Sequence, residues 1–350
     1  MTNRPINFCS GPAALPEPVL ARLQAELLDF RGSRFSVMDH AHRDDRIVGL
    51  FSETEATLKR LLGLGDAYRV LFLPGGATLQ FSQVPMHLLT RGGSGAYVTS
   101  GAWSEKAVKA AAQYGRAVEV ASSASRNFTD IPDPASWDLP ADATYLHICT
   151  NETIHGVEWF GSLADVSVPV VADMSSHILS RTMPVSEFDL IYAGAQKNLG
   201  TSGVTLVILK TELLDDVDHS HIPGLLQYRQ QIANDSMVNT PPVLSVWVLA
   251  LMLDWLESIG GVSAVEARNR AKAAALYAAI DDGALYSNPV ALANRSLMNV
   301  PFVLNDAALD ASFLAQAEAA GLMNLKGHRS VGACCHFQAG RRLLAFAWRV

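Results

Sequence analysis

An aspartate and a lysine that could act together in catalysis each follow a short apolar run. Asp173 directly follows residues 168–172, and Lys197 lies two positions after residues 190–195. Both runs are continuously apolar, which is typical of buried strands in a parallel sheet. The connection between them is too long for a hairpin, so we expect the two strands to be parallel. Asp173 and Lys197 would then lie at the carboxyl-terminal edge of one sheet, where open α/β sheets bind their ligands.

A carboxylate and an amine at such an edge suit a pyridoxal phosphate site. In that chemistry Lys197 forms a Schiff base with the cofactor, and Asp173 keeps the pyridine nitrogen protonated. The residues that follow the lysine are polar or small: Asn198, Gly200, Thr201 and Gly203. Each key residue also has an ordinary interpretation, because a lysine after a strand can be a solvated cap and an aspartate there can begin a helix.

The ends of other predicted strands add polar groups and glycines. Residues 68–73 lead into Gly75-Gly76-Ala77-Thr78 and a helix start, where free N–H groups and the helix dipole favour phosphate. Residues 95–99 lead to Trp103, whose ring could stack on a flat cofactor or pack in the core. Residues 144–149 lead to the polar run 150–153. So many suitable groups at one sheet edge indicate a ligand site.

Composition limits the other possibilities. The chain has 350 residues, of which 49% are hydrophobic, and a net charge of −7, which argues against broad nucleic-acid binding. The longest apolar run, 241–253, is too short to span a membrane, and no signal-peptide core follows the first residues. The cysteines have no metal-site spacing and are expected to be reduced thiols: Cys9, Cys149, Cys334 and Cys335. We expect a cytoplasmic protein without a metal, nucleic-acid or membrane partner.

The remaining segments predict an α/β fold with two domains. Helices are expected over residues 16–30 and 47–62, while residues 221–239 are expected to be irregular. Residues 31–45 carry three arginines and two histidines in a loop that could bind an anion or simply be solvated. The pair Gly260-Gly261 is a plausible joint. We predict a large, mostly parallel-sheet α/β domain over 16–260 and a small α+β domain over 261–350 together with 1–15.

Several motifs together closely resemble one enzyme family. They are NFCSGPAALP, GGATLQF, SGAWS, NETIHG, ADMSS, AGAQKNLG, NTPP and KGHRS, and the resemblance covers residues 6–332. The family is that of the phosphoserine aminotransferases, which are class V aminotransferases of the fold-type I pyridoxal phosphate enzymes. The resemblance implies transfer of an amino group from glutamate to 3-phosphohydroxypyruvate, giving phosphoserine in serine biosynthesis. Many members also act on 4-phosphohydroxythreonine, in pyridoxine biosynthesis.

The resemblance also implies roles for individual residues. Lys197 would be the Schiff-base lysine and Asp173 the partner of the ring nitrogen. Trp103 would stack on the ring, and Thr153 would contact the cofactor. Three residues would hold the cofactor phosphate within the subunit: Ala77, Thr78 and Gln196. Asn239 and Thr240 would reach that phosphate from the other subunit of a homodimer. Four cationic or ionisable residues would bind the substrate anions: His42, Arg43, His328 and Arg329.

Residues 333–350 depart from the family pattern. Where the family usually continues with Gly-Met-Arg-Ala-Ser, this chain reads Ala-Cys-Cys-His-Phe and lacks an arginine that normally joins the substrate-anion site. A shifted reading frame over this segment is one hypothesis. Two functional alternatives also remain: another class V enzyme, including a desulfurase that uses Cys334 or Cys335, or a cofactor-binding protein of reduced activity.

Overall fold

The computed structural model describes residues 4–89 and 92–328, and the backbone of residues 335–338. Its fourteen described strands are β1 Ile6–Asn7, β2 Tyr68–Leu73, β3 Ser94–Thr99, β4 Arg116–Ser122, β5 Ala143–Cys149, β6 Asn151–Glu152, β7 Val157–Glu158, β8 Val170–Asp173, β9 Leu190–Gly194, β10 Thr205–Lys210, β11 Tyr286–Ser287, β12 Asn299–Leu304, β13 Leu322–Met323 and β14 Cys335–Gln338. Its α-helices over the same residues are α1 Glu17–Glu26, α2 Asp45–Leu62, α3 Gly76–Leu88, α4 Ala102–Ala111, α5 Tyr228–Ala233, α6 Val243–Ser258, α7 Gly261–Asp281 and α8 Asp310–Ala319.

Seven strands form the central sheet, in the order β2-β10-β9-β8-β5-β3-β4. All neighbours are parallel except β10, which runs antiparallel to both β2 and β9. Strands β8 and β9 are parallel neighbours, with Ala172 opposite Ile191 and Asp173 opposite Tyr192. The mostly parallel α/β fold and the parallel pairing of these two strands are therefore confirmed.

Each face of the central sheet is covered by its own hydrophobic cluster. Leu146 and Ile148 of β5 belong to the cluster that contains α2 and α6, whereas Tyr145, directly before Leu146, faces the cluster beside α3 and α4. Alternate residues of a strand point to opposite faces, so a strand covered on both sides must be apolar at every position. This double burial explains why the strands read as continuous apolar runs in the sequence.

A second, three-stranded sheet lies outside the central one. It has the order β11-β12-β14, and both of its pairings are antiparallel. The chain's beginning joins this region, because β1 pairs in parallel with β13 and Phe8 packs in the same hydrophobic cluster as Val300 and Phe302. The backbone of β14 falls within the divergent segment 333–350, and it pairs with β12 so that Val300 lies opposite Phe337. The domain division at residue 260 stays a prediction.

The structure differs from the sequence-based expectations in three short elements. Helix α1 ends at Glu26 rather than near residue 30, and the backbone has left the helical conformation by Asp29, with φ −145° and ψ 73°. The segment 221–239 contains the short helix α5, and the polar run after β5 begins a two-residue hairpin of β6 with β7. Helix α5 and strands β6 and β7 contain too few residues for a periodic pattern to be recognised in the sequence.

No single helix within the described residues is long and apolar enough to cross a membrane. Helices α6 and α7 pass that test only as a pair, by length and composition, and the pair is bent by 81°.

Candidate active site

Lys197 and Asp173 lie at the same edge of the central sheet, as the sequence predicts. Asp173 is the last residue of β8 and is only 5% exposed, and Lys197 follows the end of β9. Asp173 Oδ1 accepts a 2.9 Å hydrogen bond from Ser175 N, which fixes one carboxylate oxygen. The two groups interact electrostatically, because the charge of each one partly offsets the effect of burial on the pKa of the other.

Burial is the main influence on the protonation of both groups. It raises the pKa of Asp173 above its usual value, although the charge of Lys197 opposes this shift. It lowers the pKa of Lys197, although the charge of Asp173 opposes that shift as well. An amine with a lowered pKa has a larger neutral fraction near pH 7, and only the neutral amine can act as a nucleophile or base.

Two further predicted residues surround the Lys197 amine. Lys197 Nζ donates a 2.7 Å hydrogen bond to Thr153 Oγ1 and lies 4.5 Å from the centre of the Trp103 ring. Thr153 is in the turn between β6 and β7, and Trp103 is in the first turn of α4. The structure therefore brings together four residues from four different strand ends: Lys197, Asp173, Thr153 and Trp103.

Ala77 and Thr78 lie in the first turn of α3, directly after β2. The N-cap of this helix is Gly75, with φ 99°, and no side chain caps the helix. A side chain at Gly75 would meet Leu79 Cδ2 at 2.5 Å, so the tight turn requires glycine. A helix start without a side-chain cap offers its N–H groups and its dipole to an anion, as the sequence-based interpretation requires.

The N-terminal glycine–proline motif contacts the site, which the sequence did not predict. A Cβ at Gly11 would lie 3.0 Å from Lys197 Cγ, so the backbone here packs directly on the lysine side chain. Ala13 N donates a 2.9 Å hydrogen bond to the carbonyl oxygen of Gln196. The Gly-Pro pair signalled a turn, but nothing in its composition indicated which strand end it would contact.

The residues predicted to bind substrate, or the cofactor phosphate from a second subunit, lie on exposed segments. Asn239 and Thr240 are both exposed, and Thr240 Oγ1 lies 3.5 Å from His42 Nδ1. Arg43 and His328 are also exposed. Burial, and to a smaller extent the charge of His328, lower the pKa of His155 to about 4, and His155 lies in the turn that carries Thr153.

Some sequence-based predictions fall outside the described residues. Arg329 is one of them, and so are Cys334 and the side chain of Cys335. Within residues 4–89 and 92–328, no group of three or more histidine, cysteine, aspartate or glutamate side chains could hold a metal ion. Cys149 is buried in β5, and burial raises its pKa well above the usual value, which disfavours a reactive thiolate.

The chain is similar to known proteins over nearly its whole length. A family model described as class-V aminotransferase matches residues 6–343. Phosphoserine aminotransferases of Geobacillus kaustophilus and Pseudomonas aeruginosa are 50% and 49% identical to this chain over 334 residues. Each of these alignments covers 95% of this chain and 92% of the relative.

Solved structures show the same relationship. The phosphoserine aminotransferase from Bacillus circulans subsp. alkalophilus superposes with a TM-score of 0.93 at 40% identity, over 96% of this chain and 93% of that chain. The pyridoxal phosphate-bound enzyme from Trichomonas vaginalis superposes with a TM-score of 0.90 at 34% identity, over 96% of this chain and 95% of that chain. The chain therefore belongs to the class-V aminotransferase family, and within it to the phosphoserine aminotransferases.

Proposed function

We propose that this protein is a pyridoxal phosphate-dependent aminotransferase that converts glutamate and 3-phosphohydroxypyruvate to 2-oxoglutarate and O-phosphoserine, in serine biosynthesis. The observation that carries the proposal is the position of the Lys197 amine. It lies between the Thr153 hydroxyl and the Trp103 ring, with the buried Asp173 carboxylate close enough to shift its pKa. The names of the relatives supply the substrates.

The chemistry of the donor set fits the cofactor. Asp173 is a buried carboxylate whose pKa is raised by burial, so a further cation beside it would stabilise its charged form. A protonated pyridine nitrogen is such a cation. The Trp103 ring offers a flat face beside Lys197, and the uncapped start of α3 at Ala77 and Thr78 offers donors to a phosphate. We propose that Gln196, next to Lys197, completes the phosphate contacts.

The chain's own residues would perform the proton transfers. Bound pyridoxal phosphate supplies an electron sink that weakens the bonds to the substrate Cα. The Lys197 amine would accept and hold the proton from the substrate Cα, because its lowered pKa gives it a neutral fraction near pH 7. The Thr153 hydroxyl orients the amine through the 2.7 Å hydrogen bond. The Asp173 carboxylate would hold a protonated ring nitrogen by its charge.

The substrate carries a carboxylate and a phosphate, so cationic groups must bind both anions. We propose His42, Arg43, His328 and Arg329 for this role. His328 supports the proposal, because its charge, beside the larger effect of burial, contributes to the lowered pKa of His155 in the turn that carries Thr153. We propose 4-phosphohydroxythreonine as a further substrate, because it carries the same two anions, separated by one additional carbon.

We further propose that the enzyme is a homodimer with shared active sites. Asn239 and Thr240 are exposed within one chain, which leaves them available to a phosphate bound in a partner subunit. Large apolar side chains are also exposed in the same region, since Phe35 and Met38 are 60% and 59% exposed and lie in the loop that precedes His42. Large apolar side chains that are exposed together would suit contact with a partner subunit.

The domain division and the location are proposals of the same kind. The separate hydrophobic cluster of the second sheet, which includes Phe8, supports a small domain built from 261–350 and 1–15 beside a large one over 16–260. The thiols of Cys9 and Cys149 are free, which agrees with a cytoplasmic location.

A coupled assay with glutamate and 3-phosphohydroxypyruvate tests the function. We expect 2-oxoglutarate and O-phosphoserine in equal amounts, and much slower turnover with pyruvate as the acceptor, because pyruvate lacks the phosphate. Faster turnover with pyruvate or glyoxylate would contradict the substrate assignment and favour another class V activity. Sulfide release from cysteine would favour a desulfurase. Cofactor binding without turnover on any acceptor would favour the binding-protein alternative.

A further inference from the structure

One loop caps the first turn of the helix that carries Trp103. The first three N–H groups of α4 all donate to side chains of the hairpin that β6 and β7 form. Trp103 N donates to Glu152 Oε2 at 3.0 Å, and Ser104 N donates to Glu152 Oε1 at 2.8 Å. Ala102 N lies 3.4 Å from His155 Nδ1 and donates to it. A carboxylate at this position satisfies orphan donors and complements the helix dipole.

Glu152 is closely fitted into this position. It is completely buried, and Ser104 Oγ donates a further 2.6 Å hydrogen bond to Glu152 Oε1. Burial raises its pKa, while the hydrogen bonds from Ser104 and Trp103 oppose that rise. A Cβ at Gly101 would lie 2.4 Å from Glu152 Cδ, so the backbone before α4 approaches the carboxylate as closely as glycine permits. No larger side chain could occupy position 101 without displacing the carboxylate.

The indole of Trp103 depends on this backbone anchor. Its Nε1 atom is buried and has no hydrogen-bond partner within the described part of the chain. The ring packs against the hydrophobic cluster beside α3 and α4, and the ammonium groups of Lys106 and Lys197 lie 4.3 Å and 4.5 Å from the ring centre. The backbone that carries the ring is the first turn of α4, and Glu152 holds that turn.

The same turn also positions the lysine. Thr153, the residue after Glu152, accepts the hydrogen bond from Lys197 Nζ. We infer that Glu152 is a positioning residue for the cofactor site. Its carboxylate binds the backbone of the turn that carries Trp103, and the next residue in the chain is Thr153. Glu152 therefore fixes the positions of the Trp103 ring and the Thr153 hydroxyl around Lys197. This inference rests on the proposed use of pyridoxal phosphate, but not on the identity of the amino acceptor.

The test compares two buried glutamates in the full-length holoenzyme. Glu152→Gln keeps the side-chain size but turns an NH₂ group toward the N–H groups of α4. Glu158→Gln is the matched control, because Glu158 is also completely buried and accepts from Arg181 Nε and Leu297 N, but does not contact α4. For Glu152→Gln we expect the cofactor Kd to rise about tenfold, as for the loss of one hydrogen bond to a charged group.

Two further readouts separate positioning from general loosening of the fold. The visible circular-dichroism band of the bound cofactor should weaken in Glu152→Gln, and kcat should fall while KM for 3-phosphohydroxypyruvate changes by less than about twofold. In Glu158→Gln the cofactor Kd and the band should stay within about twofold of wild type, even if the apoprotein is less stable. Equal effects of the two variants on the Kd and the band would overturn the inference.

A second variant keeps the test decisive if Glu152→Gln does not fold. Ser104→Ala removes the hydroxyl donor and leaves the carboxylate in place, so we expect the same changes at about threefold in Kd. An unchanged Kd and an unchanged band in the variants that fold would show that the inference is wrong. The cofactor Kd and the circular-dichroism band are measured without any phosphorylated substrate. A wild-type protein that binds the cofactor but leaves 3-phosphohydroxypyruvate unreacted would instead contradict the proposed function.

Discussion

Lys197 Nζ donates a 2.7 Å hydrogen bond to Thr153 Oγ1, although 44 residues separate them in the chain. The contact joins the end of β9 to the turn that follows β5, and β8 with Asp173 lies between those two strands in the sheet. Three neighbouring strand ends thus provide the amine, its orienting hydroxyl and the carboxylate. The first two predictions concern these groups.

Replacing Lys197 by alanine should abolish transamination. The variant loses both the nucleophile and the proton carrier, so we expect turnover to fall by at least about 10³-fold. The absorbance of the lysine-linked cofactor should also disappear. Lys210→Ala is the control, because Lys210 forms a surface ion pair with Asp189 and should leave turnover unchanged. Transamination by the Lys197→Ala protein would show that Lys197 is not the Schiff-base lysine.

Asp173→Asn should reduce turnover while leaving the fold intact. The amide oxygen can still accept from Ser175 N, but the charge that favours a protonated ring nitrogen is lost. Losing one partner of a buried charge pair costs about 2–5 kcal/mol, so we expect kcat to fall by about 10²-fold or more. Steady-state kinetics at saturating cofactor measure this effect. A kcat within threefold of wild type would show that Asp173 does not support the ring nitrogen.

His87 should make the protein less stable in acid. Its ring is buried, Nδ1 donates to Gln83 O, and Nε2 accepts from Tyr228 N. Burial lowers the pKa of His87 to about 4, from 6.5. Between pH 6.5 and 4 the unfolded chain therefore binds a proton that the folded chain excludes. The stability that His87 provides is complete above pH 6.5 and is lost as the pH falls toward 4.

The size of this effect follows from the pKa difference. Between pH 6.5 and pH 4 the free energy of unfolding should fall in both proteins. The fall should be about 3 kcal/mol smaller in His87→Gln than in wild type. Urea titrations at pH 7, 5.5 and 4 measure the two slopes, and comparing them cancels the carboxylates that titrate in both proteins. Parallel slopes would mean that His87 is protonated equally in the folded and unfolded states.

Mixing two inactive variants tests the shared active site. Lys197→Ala removes the reactive amine, and Thr240→Asp should repel a phosphate bound in the partner subunit. After the subunits redistribute, each mixed dimer would contain one site with both lesions and one site with neither. We expect about one quarter of the wild-type activity to return. Activity that stays at the level of the separate variants, with subunit exchange shown by mass, would contradict a site that includes Thr240 of a partner.

The sequence alone predicted most of the central sheet and the residues that line its active edge. The strands could be recognised because burial on both faces demands continuous apolar runs, as in β5 and β9. The chemistry could be recognised because Asp173, Lys197 and Trp103 each follow such a run. The resemblance of the motifs then supplied their individual roles.

Some features of the site left no signal that local reasoning could use. Glu152 reads as a polar residue after a strand, and nothing near it in the sequence indicates that it caps α4, 48 residues earlier. Gly11 reads as a turn residue, yet its backbone packs against Lys197. The hairpin of β6 and β7 is too short to show alternation.

The division between the two kinds of information has a physical origin. The sequence by itself determined which residues could react and which strand each one follows, because backbone periodicity and burial act over neighbouring residues. Only the tertiary structure decided which groups meet: the order β9-β8-β5-β3 brings the strand ends of Lys197, Asp173, Thr153 and Trp103 side by side. That order is set by packing across the whole sheet, and Glu152 then fixes the distances within the site.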